Sequence, residues 1–470
     1  MHRTIALLFG ILLAASSGPA RAGGPAGSAS LLKIPWNVTE HRLSNGMRAL
    51  LLPDRRAPVI VFEVWYGAGS REELPGKTGL AHMVEHMMFR GTKKYGPKEF
   101  SNLVKRNGGR HNAFTSFDYT AYYEEIASDR LELVIKLEAD RMVNLVLTKE
   151  QFEPERKVIL EERRMRTDDR PTGVLFEQLR AAAFHAHTYG NPIIGWETDI
   201  RSYTLEDMRA FYKRYYRPSN AIAVIVGDFE IEEAIRLLDK HFGAIPAAPF
   251  AGRPDIREPS QQAERRIIVR RQAQLPYVAM AFHTPNFKDE DAPALSMLET
   301  ILGGGETSRL YQRLVRKDAL SLGAGADYTY ISVDPALFYL YSQVAPGKKT
   351  EDVERVIQEE VDLIVRKGVS QEELTRALRS LEAQTVFSMD SHYFRASLLG
   401  RSTIASNWRL LEDYLPALAR VKSEDIVRVA KKYFVPKNRT TAVLFPLKDK
   451  KGKRAARAAK KGKTAKSGGR

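Results

Sequence analysis

Residues 206–220 read Glu-Asp-Met-Arg-Ala-Phe-Tyr-Lys-Arg-Tyr-Tyr-Arg-Pro-Ser-Asn, and residues 424–438 read Glu-Asp-Ile-Val-Arg-Val-Ala-Lys-Lys-Tyr-Phe-Val-Pro-Lys-Asn. The two stretches align without a gap at an offset of 218. Each has a helical pattern, is stopped by a proline and runs on into an apolar strand, 221–226 and 440–444. Solenoid repeats recur every ~20–50 residues, so this period excludes one. It predicts instead two homologous α+β domains, residues 33–245 and 262–446. The Pro/Ala-rich run 246–254 opens a linker over 246–261.

The 470 residues, 43% of them hydrophobic, are enough for two cores. Cysteine is absent, which excludes disulfides, thiol nucleophiles and cysteine metal ligands. The N-terminus has a basic start, an apolar run over 5–15 and an Ala-Arg-Ala end at 20–22. That pattern predicts a secretory signal peptide over 1–22, followed by a flexible lead-in over 23–32. The expected location is therefore outside the cytoplasm, the periplasm if the source is a Gram-negative bacterium. A net charge of +16 invites a nucleic-acid reading, but its distribution argues against one. Residues 448–470 carry eleven Lys/Arg and one Asp, and Arg3 and Arg21 lie in the signal segment, which leaves an ordinary +4 on the body. Low complexity and the lack of aromatics predict a disordered basic tail over 447–470. Its two readings are contact with an anionic surface and a solvated tail of no specific role.

Within the first domain, residues 39–68 alternate like strands, and Asn45-Gly46 signals a hairpin turn. Residues 79–92 follow as Gly-Leu-Ala-His-Met-Val-Glu-His-Met-Met-Phe-Arg-Gly-Thr. His82, Glu85 and His86 spell HxxEH in a run of helix formers. Positions four apart share a helix face, so both imidazoles can close on one metal ion. Glu85 is placed beside that metal rather than on it, as a general base. A third ligand must come from elsewhere. The candidate is Glu162, on a second helical segment with Glu155 two turns before it. Glu155 would orient a ligand histidine. The second domain supplies a comparison: its corresponding helix, 292–302, carries no histidine.

His82-Met-Val-Glu85-His86, with Glu162 following 76 residues after His86, resembles the pitrilysin/insulinase family of zinc peptidases. The nearest likeness is to its short members, such as the mitochondrial processing peptidase β subunit and its bacterial relatives, over about residues 36–446. The resemblance implies a processing-peptidase-like fold, each domain a mainly antiparallel sheet packed with helices. It implies one Zn2+ per chain on His82, His86 and Glu162. It also implies an edge strand beside the zinc, on which Asn112, Ala113 and Phe114 contact an extended peptide substrate. Here that strand reads as one continuous stretch over 108–123, and helices are expected over 128–145 and 149–166. His111 reads as structural or surface. His185 and His187 read as surface loop residues, although the resemblance places their turn near the active site.

One departure stands out. Family members made of one chain bring an Arg and a Tyr from the second domain to the substrate carbonyl. Here Arg316 is present, but the Tyr position holds Leu322, with Tyr328 and Tyr330 further on. The expectation is therefore an exported zinc metalloendopeptidase whose zinc subunit works as a homodimer or with a related Arg/Tyr-bearing partner. The alternative is a non-catalytic scaffold or peptide-binding protein of the same fold.

Overall fold

We describe a computed structural model of the chain over residues 34–447. The expected signal peptide, the lead-in and the tail from Lys448 lie outside the described residues. Two sheets form the frame. The first contains β1 (Thr39–Arg42), β2 (Arg48–Pro53), β3 (Val59–Tyr66), β4 (Arg110–Thr115), β5 (Thr120–Ala127) and β6 (Ala221–Gly227), in the order β1-β2-β6-β3-β5-β4. The second contains β7 (Arg265–Arg271), β8 (Tyr277–Thr284), β9 (Ser321–Tyr328), β10 (Ala336–Val344) and β11 (Arg439–Pro446), in the order β7-β11-β8-β10-β9. Without β1 the two orders are the same. In each sheet a single pair, β2–β6 or β7–β11, is parallel and the rest are antiparallel. The expected α+β fold of two related sheets is the fold found.

The sequence repeat has a local cause. Helix Leu205–Tyr215 leads through Pro218 into β6, and helix Ser423–Tyr433 leads through Pro436 into β11. The amide of Asn220 donates to Tyr215 O at 2.9 Å and to Gly67 O at 3.3 Å. Asn438 donates to Tyr433 O at 2.8 Å and to His283 O at 2.9 Å. The asparagine thus ties each helix end to the neighbouring strand's exit, which is why Pro-x-Asn recurs.

The Asn45-Gly46 turn joins β1 to β2 as expected, with Gly46 at φ 91°. The single strand expected over 108–123 is instead a hairpin. β4 and β5 pair from Arg110↔Glu125 to Thr115↔Thr120, and Ser116 N bonds Tyr119 O across the turn. Asp118 fixes that turn: it accepts from Tyr189 Oη at 2.6 Å and from Val333 N at 3.0 Å, contacts remote in sequence. The two expected helices are Leu131–Val143 and Lys149–Arg163, the second widening into a π turn over Arg164–Asp168.

The halves exchange their covers. Helix Pro171–Ala183 of the first half lies on β7, β8 and β11, its Val174, Leu175 and Leu179 packed against Ala279, Ala281 and Leu444. Helix His392–Ala405 of the second half lies on β3 and β6, with Ala396 and Leu399 against Trp65 and Val224. A Cβ on Gly400 would stand 2.3 Å from the Trp65 ring, so only glycine lets this helix approach so closely. Among the described residues, no helix is long and apolar enough to cross a membrane.

Candidate metal centre

Helix Leu80–Met87 starts at Gly79, whose φ of 89° suits glycine. The buried Glu73 carboxylate caps it, accepting from Gly79 N at 2.7 Å and Ala81 N at 2.8 Å. Leu80, Met83, Val84 and Met87 sink into the core of the first half. That leaves His82, Glu85 and His86 facing helix Lys149–Arg163, which presents Glu155 and Glu162 two turns apart. The ligand atoms of His82, His86 and Glu162 lie within 4.8 Å of one another, the one such His/Cys/Asp/Glu group among the described residues. Glu162 Oε2 is 3.3 Å from His86 Nε2 and 3.9 Å from His82 Nε2. Two imidazoles and one carboxylate are a donor set that suits zinc, and partial exposure of the Glu162 and His86 side chains, 14% and 20%, leaves an approach for a further ligand.

Neighbouring charges tune each member. Burial lowers the pKa of His82 to about 3, so its imidazole is neutral and its lone pair is available. Burial also opposes charge on His86, but hydrogen bonds to Glu155 and Glu162 outweigh it and raise its pKa to about 9. A proton there satisfies the two flanking carboxylates; a divalent cation would serve the same charge balance and needs that nitrogen deprotonated. Burial raises the Glu162 pKa, yet His86, His82 and Arg166 together bring it down to about 2. Glu155 accepts from His86 Nδ1 at 2.8 Å, a contact that fixes the ring's orientation. His82 Nδ1 is buried without a hydrogen-bond partner; packing against His86, at 4.6 Å between ring centroids, is what orients it. Burial pushes the Glu85 carboxyl up, the direction useful to a general base.

Three contributors escaped the sequence reading. Thr115, last residue of β4, donates its hydroxyl to Glu85 Oε2 at 2.5 Å. Arg90 binds Glu155 Oε2. Arg166 holds Glu162 Oε1 at 2.7 Å, leaving Oε2 to face the histidines. Arg90 and Arg166 stand four residues after His86 and Glu162, a spacing that could have flagged them. No local signal points to Thr115.

The expected substrate-contact residues divide. β4 is the edge of its sheet, so its outer backbone groups are open, and Asn112 is exposed. Ala113 is buried in the core. The Phe114 ring is committed to Trp65, edge-on at 5.4 Å. Arg316 is exposed, pairs with Glu306 at 2.9 Å and touches no residue of the metal cluster. Leu322 stands exposed at the start of β9. Neither tyrosine substitutes for it: the buried Tyr328 donates to Pro285 O at 2.6 Å, and the Tyr330 ring packs between Phe287 and Tyr414. His111 stacks on Phe89 at 5.5 Å. His187, expected at the surface, is buried where the halves meet and bonds Asp334 at 3.0 Å, because Arg71 and Asp334 form an ion pair beside it.

Residues 49–197 match the family described as insulinase (peptidase family M16), and residues 202–381 match the peptidase M16 inactive domain. The zinc protease PqqE of Helicobacter pylori is 34% identical over 411 residues, covering 86% of this chain and 92% of that protein. The chain belongs to the insulinase family of peptidases, M16. The crystal structure of a protease from Helicobacter pylori superposes on this M16 chain with a TM-score of 0.84 at 33% identity, covering 87% and 99% of the two chains. The periplasmic protease PqqL of Escherichia coli shares the fold, with a TM-score of 0.74 at 20% identity, over 88% of this chain and 48% of that one. The inactive-domain match includes helix Ala292–Gly303, which carries no histidine.

Proposed function

We propose that this M16 chain is a zinc metalloendopeptidase acting on extended or unfolded peptides. The observation that carries the reading is the convergence of His82, His86 and Glu162 within 4.8 Å, with Glu85 held at their side by Thr115. A zinc ion bound by those three residues would polarise the scissile carbonyl and make water a nucleophile near neutral pH. Glu155 and Arg166 orient His86 and Glu162 for that purpose. Glu85 takes the proton from the attacking water and returns it to the leaving amine. The open edge of β4 pairs with the peptide backbone, with Asn112 at its exposed face.

The N-terminal sequence supports export, and PqqL of Escherichia coli, which shares the fold, is a periplasmic protease. The occupied Tyr328 and the aliphatic Leu322 support a second chain, a copy or a relative, as the source of a hydroxyl for the substrate carbonyl.

The test is peptide cleavage by residues 23–470 beside Glu85→Gln, with zinc content measured on both. Cleavage by the parent alone, with equal zinc in both, is expected. Stoichiometric zinc with no cleavage, even after adding an Arg/Tyr-bearing relative, would favour the scaffold reading instead.

A further inference from the structure

Between the metal helix and the edge strand the chain turns basic. Residues 90–110 carry seven Lys/Arg and one acid, Glu99. They form a loop, the helix Glu99–Arg106 and the glycine turn that opens β4. The helix is held beside β4 by its apolar side: Phe100 and Val104 are buried, and the Phe100 ring meets His111 of β4 edge-on at 5.4 Å. A Cβ on Gly109 would stand 2.9 Å from Val104 Cγ1 and 3.0 Å from the Ile126 side chain, so the turn draws helix and hairpin into contact. That leaves Lys98, Lys105 and Arg106 in water, with Lys93 and Lys94 on the loop before them and Arg110 at the start of the edge, all exposed. The first five form no ion pair among the described residues. Arg110 pairs across the strands with Glu125 at 2.5 Å. Glu99 is taken up by the backbone, accepting from Gly96 N at 2.8 Å. The metal centre lies at the other end of the strand, where Thr115 closes β4 and donates to Glu85.

We propose that the peptides taken by the β4 edge are acidic, with Asp or Glu several residues from the bond that is cut; the inference rests on the peptidase reading above. A strand rises about 3.3–3.4 Å per residue, so β4 from Thr115 back to Arg110 covers about 17 Å. A peptide paired along β4 with its scissile bond at the metal would lay residues about four to six places away beside Arg110, Lys105 and Arg106. Carboxylates there would meet cations that have no partner of their own. Lys93, Lys94 and Lys98 extend the same field along the loop, which draws an acidic chain in and repels a basic one. An edge of open backbone N–H and C=O groups selects a polypeptide, because a nucleic acid has no matching ladder. Lysines on an edge strand can serve merely to guard it against aggregation. These lie before the strand, on loop and helix, where no edge needs guarding.

The test uses a neutral 14-residue peptide made with three Glu, three Gln or three Lys at one end or the other. Cleavage is followed with the chain from residue 23 and with its K98Q/K105Q/R106Q variant. Binding of the same peptides, fluorescently labelled, is read by anisotropy on zinc-loaded E85Q chains with and without those three changes. The basic tail is common to all four proteins and cancels from the comparison. With the acids at one of the two ends, kcat/KM for Glu peptides should exceed that for Gln peptides by about tenfold, with Lys peptides lower still. The gap should narrow to about threefold or less in the variant and at high salt. Glu and Gln peptides cleaved alike would overturn the proposal and leave the peptidase standing. A Glu preference unchanged by the three substitutions would overturn its assignment to this surface. No cleavage, with Glu peptides still bound more tightly and that advantage lost in the variant, would uphold acid selection and overturn the peptidase reading. Neither cleavage nor binding of any peptide would overturn both.

Discussion

The Thr115 hydroxyl donates to Glu85 Oε2 across 2.5 Å, so the last residue of the β4 edge is bonded to the acid on the 80–87 helix. A peptide pairing along β4 would therefore press on the same strand that holds the base. Hydrogen bonds to charged groups contribute about 1.5–3 kcal/mol, and about 1.4 kcal/mol of barrier is tenfold in rate. Thr115→Val is expected to lower kcat by about 10- to 100-fold with KM little changed, and Thr115→Ser to restore most of it. A KM rise at constant kcat would mean that Thr115 serves only the docking edge.

Glu155 fixes the His86 ring and is fixed in turn by Arg90. Replacing such an orienting carboxylate typically costs about 10- to 100-fold in metal affinity. Glu155→Gln should lose zinc to a chelator at a concentration lower by that factor, while the far-ultraviolet dichroism stays that of the parent. Competition titration with a chromophoric chelator reads the difference.

Gly400→Val tests the close approach of the 392–405 helix to Trp65. The new side chain starts 2.3 Å from the indole, so the helix must lift or the ring must turn. Overpacking of this kind costs about 1–3 kcal/mol. The urea midpoint should fall, and Trp65 emission should shift to longer wavelength below the main transition.

Glu63 lies under that same helix, accepting from Trp65 Nε1 at 2.7 Å and from Ser397 at 2.9 Å. Burial raises its pKa to about 8. A raised acid favours the fold fully below the unfolded-state value, and that advantage is lost as pH climbs to the folded-state value. Stability should therefore decline between about pH 4.5 and 8 by up to about 1.4 kcal/mol per pH unit from this group. Glu63→Gln should flatten that slope in urea unfolding measured from pH 5 to 8. A slope equal to that of the parent would place the proton elsewhere.

What the sequence disclosed and what it hid divide by range of contact. The Pro-x-Asn repeat was readable because Asn220 and Asn438 each act within five residues of their helix end. HxxEH was readable because a four-residue step on a helix fixes which side chains share a face. Glu162 followed from the same rule applied to a second helix. The β4–β5 hairpin was hidden because its turn is held by Asp118 through Tyr189 and Val333, 71 and 215 residues away. His187 misled for the same reason, since its partner Asp334 sits 147 residues on. Arg316 was placed by likeness to a motif, and the structure gives it a neighbour, Glu306, that the motif does not specify.

The exchange of covering helices also sets an order in time. β3 and β6 are complete by residue 227, but the helix that roofs them ends at residue 405 of 470. Multidomain chains ordinarily fold their N-terminal unit first during synthesis. Here that unit would emerge with Trp65 and Val224 unroofed, and a chain ended at residue 261 should show a red-shifted tryptophan spectrum and bind hydrophobic dyes. The first half is the earlier to be made and among the later to be finished.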